Sequence, residues 1–239
     1  MRLSARSWLI LACVIVLVVI VATDQIVPPT TEYQSQMRLW LSARATGITA
    51  FLLLTVLVGL GLILSHPVNQ STWKLSKRIF PWHENLFVFV VAFVLVHAVS
   101  LAVDSYAGVG FEGLLVPGLS DFRRIPVALG SVALYALILT ALTARYTHLL
   151  PTGWWLKLHR VSLAVFLLSW VHGILSGTDS NQLRPLYIGC GLVVLAAASY
   201  RYAAGRKRRS SFSSALDDPI AGVTPGGTPR PGLPPGGAP

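Results

Sequence analysis

The chain has 239 residues, of which 54% are hydrophobic and 12% charged, and its mean hydropathy is +0.64. Soluble domains carry about 25% charged residues, so this composition excludes an ordinary soluble enzyme and points to an all-α, polytopic membrane protein. The net charge of +10 does not indicate nucleic acid, because the basic residues lie mostly between apolar runs, where membrane topology accounts for them.

A membrane helix needs roughly 20 mainly apolar residues. Six runs approach this: about Trp8 to Thr23, Thr46 to Leu64, Leu86 to Val103, Pro126 to Ala144, Leu158 to Leu175 and Leu186 to Tyr202. The first is short; the others reach spanning length with flanking residues. Residues 1–23 read as a retained anchor: Arg2 and Arg6 precede the apolar stretch, but Val21-Ala22-Thr23 is a poor cleavage site. Pro67, Pro81, Pro126, Pro151 and Pro185 are expected in loops or at helix starts, where proline is tolerated. Cys13 and Cys190 lie inside apolar runs and read as small buried hydrophobes, and no C-x-x-C-H motif occurs.

With six spans the termini share one side. Placing both in the cytoplasm puts Arg2, Arg6, Lys74, Lys77, Arg78, Arg145, Lys157, Arg160 and the cluster Arg201, Arg206, Lys207, Arg208 and Arg209 inside. The opposite segments hold Arg38, Arg44, Arg123, Arg124 and Arg184 among Asp24, Glu32, Asp104, Glu112, Asp121 and Asp179. Both termini are therefore expected in the cytoplasm, and the expected location is a bacterial plasma membrane. Residues 203–239 form a basic cluster and a Ser/Pro/Gly-rich tail that is too polar to bury a core, so disorder is expected after Arg209.

Ionisable groups within membrane spans are costly and usually functional. His83 and His97 lie fourteen residues apart on the third span, and His159 and His172 lie thirteen apart on the fifth. These spans run in the same direction, so His83 pairs in depth with His159, and His97 with His172. At 1.5 Å per residue the two levels are about 20 Å apart. That arrangement suits two stacked haems held between helices 3 and 5, each with two axial imidazoles. Fourteen residues return to about 40° of the same helix face, whereas thirteen miss by about 140°; the position of His159 at a helix start is expected to absorb the mismatch. Zinc fits poorly, because levels about 20 Å apart cannot form one tetrahedral site. A histidine proton relay would usually include buried carboxylates, and only Glu84 lies in these runs.

On these residues the chain resembles the ferric-reductase-like transmembrane domain, the superfamily of ferric reductases, NADPH oxidases and the haem subunit of the bacterial methionine sulfoxide reductase system. The motifs are ARATGITAFLLL from Ala43, HENLFVFVVAFVLVH from His83, IPVALGSVALYAL from Ile125 and LHRVSLAVFLLSWVHG from Leu158, covering residues 43–202. The resemblance implies a six-transmembrane-helix bundle with two b-type haems (haem b) and electron transfer from the cytoplasmic side outward. No flavin- or nicotinamide-binding segment with a G-x-G-x-x-G follows, so no FAD or NADPH site is expected in this chain. The expected donor is a separate flavoprotein or quinol, and the acceptor a ferric chelate or an extracytoplasmic redox partner. The oxidases place a further histidine one turn beyond the outer ligand, where this chain has Leu101. The stand-alone methionine sulfoxide reductase subunit lacks one inner histidine that this chain keeps.

The chain therefore reads as a haem-dependent oxidoreductase or its electron-transfer subunit. Alternatives are a haem-bearing membrane anchor of a larger redox complex, and a non-redox transporter or scaffold. The resemblance sets Arg44 near the outer haem; its plainer reading is a snorkelling interfacial arginine. Arg160 reads as a partner for an inner propionate or as a positive-inside residue. Arg123 and Arg124 read as propionate or partner contacts, or as solvated. His66 and His148 read as interfacial, and Trp40, Trp73, Trp82, Trp154 and Trp155 as an aromatic belt. Gly59, Gly61, Gly189 and Gly191 are expected to permit close helix or haem approach.

Overall fold

The computed structural model describes residues 5–26, 29–66, 74–178 and 180–217, and the regular structure in them is helical throughout. The order is α1 (Ala5–Ile26), α2 (Glu32–Gln36), α3 (Arg38–Leu64), α4 (Lys74–Val103), α5 (Gly110–Leu115), α6 (Arg124–Arg145), a 3₁₀ turn at Thr147–Leu149, α7 (Trp154–His159), α8 (Ser162–Ser176) and α9 (Arg184–Asp217). Among the described residues five stretches are long and apolar enough to cross a membrane: Glu32–Leu64, Lys74–Val103, Arg124–Arg145, Trp154–Ser176 and Arg184–Ala204. They are the second to sixth runs of the sequence, with longer ends. The first run forms the 22-residue α1, which packs against α4.

Side-chain polarity inside the spans is absorbed locally. The hydroxyls of Thr46, Thr49, Thr55, Thr140 and Thr143 each donate to a carbonyl four residues back at 2.8–2.9 Å. In an apolar medium such back-bonding removes a donor that would otherwise stay unpaired. α3 packs most extensively on α4, and α6 on α8. Gly47 lies against His97 and Gly61 against His83, which makes α3 and α4 antiparallel. His83 faces His159 and His97 faces His172, so α4 and the α7–α8 segment are parallel.

The core lies between these two levels. Val90 is seven residues from both His83 and His97 and is fully buried. Leu54, Leu137, Val165 and Phe166, each about midway along its own helix between the levels, are also buried. Phe51 stacks on Phe166 at 5.7 Å and 20°, and Tyr187, Cys190 and Val194 close the cluster from α9. α9 reaches α8 through two glycines: Tyr187 packs on Gly173, and Trp170 packs on Gly191 and donates Nε1–H to Tyr187 O at 2.9 Å.

Several expectations change. His83 does not open its helix; α4 begins nine residues earlier, at Lys74. Pro81 lies inside α4 rather than at its start. Proline there leaves the Lys77 carbonyl without its helical partner, and both residues are exposed, so that carbonyl is not sealed inside the bundle. The fifth run is not one helix but α7 and α8, broken at Arg160 and Val161. α9 is described to Asp217, and the rest of the expected tail, like Pro67 and Trp73, lies outside the described residues. Gly59 and Gly189 face open space, so close approach belongs to Gly61 and Gly191.

Phe166→Ala removes the largest fully buried side chain from this mid-level cluster. Such truncations cost about 3–5 kcal/mol. The expected outcome is a clearly lower unfolding temperature in detergent with helical circular dichroism retained; an unchanged temperature would contradict the placement of the core.

Candidate cofactor-binding site

Each histidine level holds two imidazoles set edge to face. The ring centres of His83 and His159 are 6.3 Å apart at 74°, and those of His97 and His172 are 6.3 Å apart at 79°. A metal–imidazole bond is about 2 Å and a ring nitrogen lies about 1.1 Å from its ring centre, so two imidazoles sharing one ion have centres about 6 Å apart. The pairs therefore have the spacing of trans ligands to a single ion. Among the described residues no three His, Cys, Asp or Glu side chains gather as a metal-binding group. Two protein ligands per level suit an iron whose other positions are filled by a macrocycle.

Three of the four rings are held by one repeated device. His97 Nδ1 lies 2.6 Å from Ala43 O, His172 Nδ1 2.7 Å from Pro126 O, and His83 Nδ1 3.1 Å from Leu57 O. A carbonyl only accepts, so each Nδ1 carries the proton and each Nε2 keeps its lone pair. Each accepting carbonyl lies four residues before a glycine: Gly47, Gly130 and Gly61. A β-carbon would stand 2.7 Å from His97 Nδ1 at Gly47, 2.7 Å from His172 Nδ1 at Gly130 and 3.2 Å from His83 Cε1 at Gly61. The missing side chain lets the ring reach a carbonyl already engaged in the helix, and Ala43 O also takes the Thr46 hydroxyl at 3.0 Å. Ser176 Oγ lies 3.1 Å from His172 Nδ1 as a further contact.

His159 differs. Its Nδ1 is buried and has no partner among the described residues. It ends α7 and packs beside Trp155 at 6.1 Å. At the break, Val161 N donates to Leu158 O and Leu163 N to Arg160 O, both three residues back. A 3₁₀ turn advances about 120° per residue instead of 100°, so each such residue recovers about 20° of the 140° mismatch. The break, not fraying, brings His159 round to His83.

The His97 level opens into a cavity of about 210 Å³ lined by α3, α4, α6, α8 and α9, including Phe51, Val94, Leu101, Leu134 and Tyr187. A buried water needs about 10–15 Å³ measured in this way, so the space suits a large apolar ligand rather than isolated waters. The cavity touches His97 and His172 but not His83 or His159.

The arginines divide. Arg44 lines the cavity, with its guanidinium 4.5 Å from the Trp40 ring and donating to Thr178 Oγ1. Arg123, at φ 39°, donates Nη1–H to Leu175 O at 2.6 Å and so caps the C-terminal end of α8. Arg160 is exposed at the helix break, and Arg124 is exposed at the start of α6. His66, just past the end of α3, is buried and stacked on Tyr200 at 4.3 Å and 11°, while His148 is exposed beside Tyr146. Gly47 and Gly130 are the site residues that sequence reasoning passed over. The fourteen-residue interval from Gly47 to Gly61 repeats that from His83 to His97 and is the signal that marks Gly47; no such interval marks Gly130.

Arg123→Ala should release the α8 terminus that carries His172. Hydrogen exchange of the amides of residues 175–178 is expected to speed up several-fold, with the mid-level core unchanged; equal protection would show that the arginine does not hold this end. Comparison with family models, curated proteins and solved structures gives no match.

Proposed function

We propose that this chain is a transmembrane electron-transfer protein of the ferric-reductase-like kind, holding two b-type haems on His83 with His159 and on His97 with His172. The observation that carries this reading is the recurrence of one imidazole pair, at 6.3 Å, on two levels of the same two parallel segments. One such pair can arise from packing alone; two at identical spacing are hard to explain without a shared ligand type. Haem held by His83 with His159 and by His97 with His172 would supply a one-electron iron couple.

The residues of the chain then have distinct tasks. Nδ1–H bonds on His83, His97 and His172 orient the rings and direct Nε2 lone pairs to a metal. The apolar cluster of Val90, Val165 and Phe166 excludes water between the levels. Arg44, at the cavity, is placed to meet a carboxylate of a ligand in it. In this reading α1 is a sixth span, both termini are cytoplasmic, the His83 level is the inner one and the His97 level the outer. The basic segments that flank the inner level support that orientation. Electrons enter from a flavoprotein or quinol and leave toward an acceptor outside the membrane.

The first test is a dithionite-reduced minus oxidised spectrum of the purified chain with haem quantified per polypeptide. Two b-type haems are expected; none on folded protein from haem-sufficient cells would overturn the proposal and leave a transporter or scaffold. The steep angles between the ring planes further predict a strongly anisotropic low-spin ferric signal in electron paramagnetic resonance. His97→Ala or His172→Ala should remove the outer haem and spare much of the inner one. Equal loss of both on a folded variant would contradict the pairing by level.

A further inference from the structure

Three histidines sit in glycine cradles and the fourth does not. α6 supplies the cradle of His172 at Gly130 and has no other glycine up to Arg145. His159 Nδ1 is left buried and unbonded among the described residues. Its partner His83 has the longest of the three imidazole–carbonyl bonds, 3.1 Å against 2.6 and 2.7 Å.

A hydrogen bond from Nδ1–H does two things to an imidazole ligand. It fixes the ring and its tautomer, and it makes Nε2 a stronger donor to the metal; removing such a partner typically costs ten- to a hundredfold in affinity. We infer that Gly47, Gly61 and Gly130 are positioning residues that set ligand strength, and that the two levels are unequal, with His159 the weak ligand and the inner level the labile one. A less electron-rich ligand stabilises the ferric form less, so the unbonded ring also raises the inner midpoint potential relative to a cradled one. The inference rests on the haem reading above and deepens it.

The test uses the full-length chain with haem bound, in detergent. His97→Ala isolates the inner level, and His83→Ala the outer. Each is mixed with excess apomyoglobin, and haem transfer is followed by absorbance. Transfer from the His97→Ala protein is expected to be at least about tenfold faster than from the His83→Ala protein. Equal rates, or a slower inner level, would overturn the inference. In a His83→Ala background, Gly130→Ala should speed outer-haem transfer and move the outer midpoint potential upward, while Gly59→Ala, at a glycine facing open space, should change neither. An outer haem with unaltered potential and transfer in folded Gly130→Ala protein would remove the role given to the cradle. Should Gly130→Ala not fold, the comparison of the two histidine variants still decides. Protein that folds but binds no haem would sink the electron-transfer reading itself, a different result from two haems of equal lability.

Discussion

The bond from an imidazole Nδ1–H to the carbonyl of a neighbouring helix is the constraint on which this bundle turns. An unpaired polar group in an apolar medium costs about 2–7 kcal/mol, and no water reaches the middle of a span to relieve it. The acceptors these three rings use are carbonyls already engaged in their helices. A second bond requires the ring to lie against the backbone, and only glycine four residues on leaves that path open. Glycine inside a helix costs about 1 kcal/mol relative to alanine, less than the penalty it averts. The positions of Gly47, Gly61 and Gly130 follow from the positions of His97, His83 and His172, and the antiparallel packing of α3 on α4 follows from both.

The same spacing places the core. Residues about seven positions from each histidine fall midway between the levels, and there the helices pack without polar groups: Leu54, Val90, Leu137, Val165 and Phe166. A dry layer of this kind isolates whatever occupies each level. In low dielectric a change of charge is felt far more strongly than in water, so compensating groups have to lie near the ends of the bundle. Arg44 and Arg123 both lie at one end, against the terminus of α8, where they stabilise the segment that presents His172.

Much of this was legible from the residues alone. Hydropathy located five of the spans, because the penalty for exposing polar backbone to lipid leaves long apolar helices as the only solution. The intervals between histidines were enough to pair them by level, since α4 keeps its phase over fourteen residues. The break at Arg160 was not legible: His159-Arg160-Val161-Ser162 contains neither proline nor glycine, and only the 140° mismatch hinted that a straight helix would fail. The continuation of α4 through Pro81 was missed because proline is tolerated at an exposed turn, and sequence rules do not count exposure. The burial of His66 depends on Tyr200, 134 residues away, and no local pattern announces that contact.

The break and the orphaned nitrogen have one origin. Histidines thirteen apart on an unbroken helix would face different ways, so α7 and α8 separate through a tight turn that rotates His159 toward His83. Cradling is a matter of register between continuous helices, as at Gly47 and Gly61 on α3 facing α4. α7 is a six-residue segment set off from α8 by that turn, and α6 has no glycine after Gly130 to open a carbonyl to it. Bringing the fourth imidazole into its pair thus removes it from the ladder of carbonyls that serves the other three. The chain satisfies the geometry of the pair at that level while His159 Nδ1 keeps no partner among the described residues, so the two levels share a spacing but not a cradle.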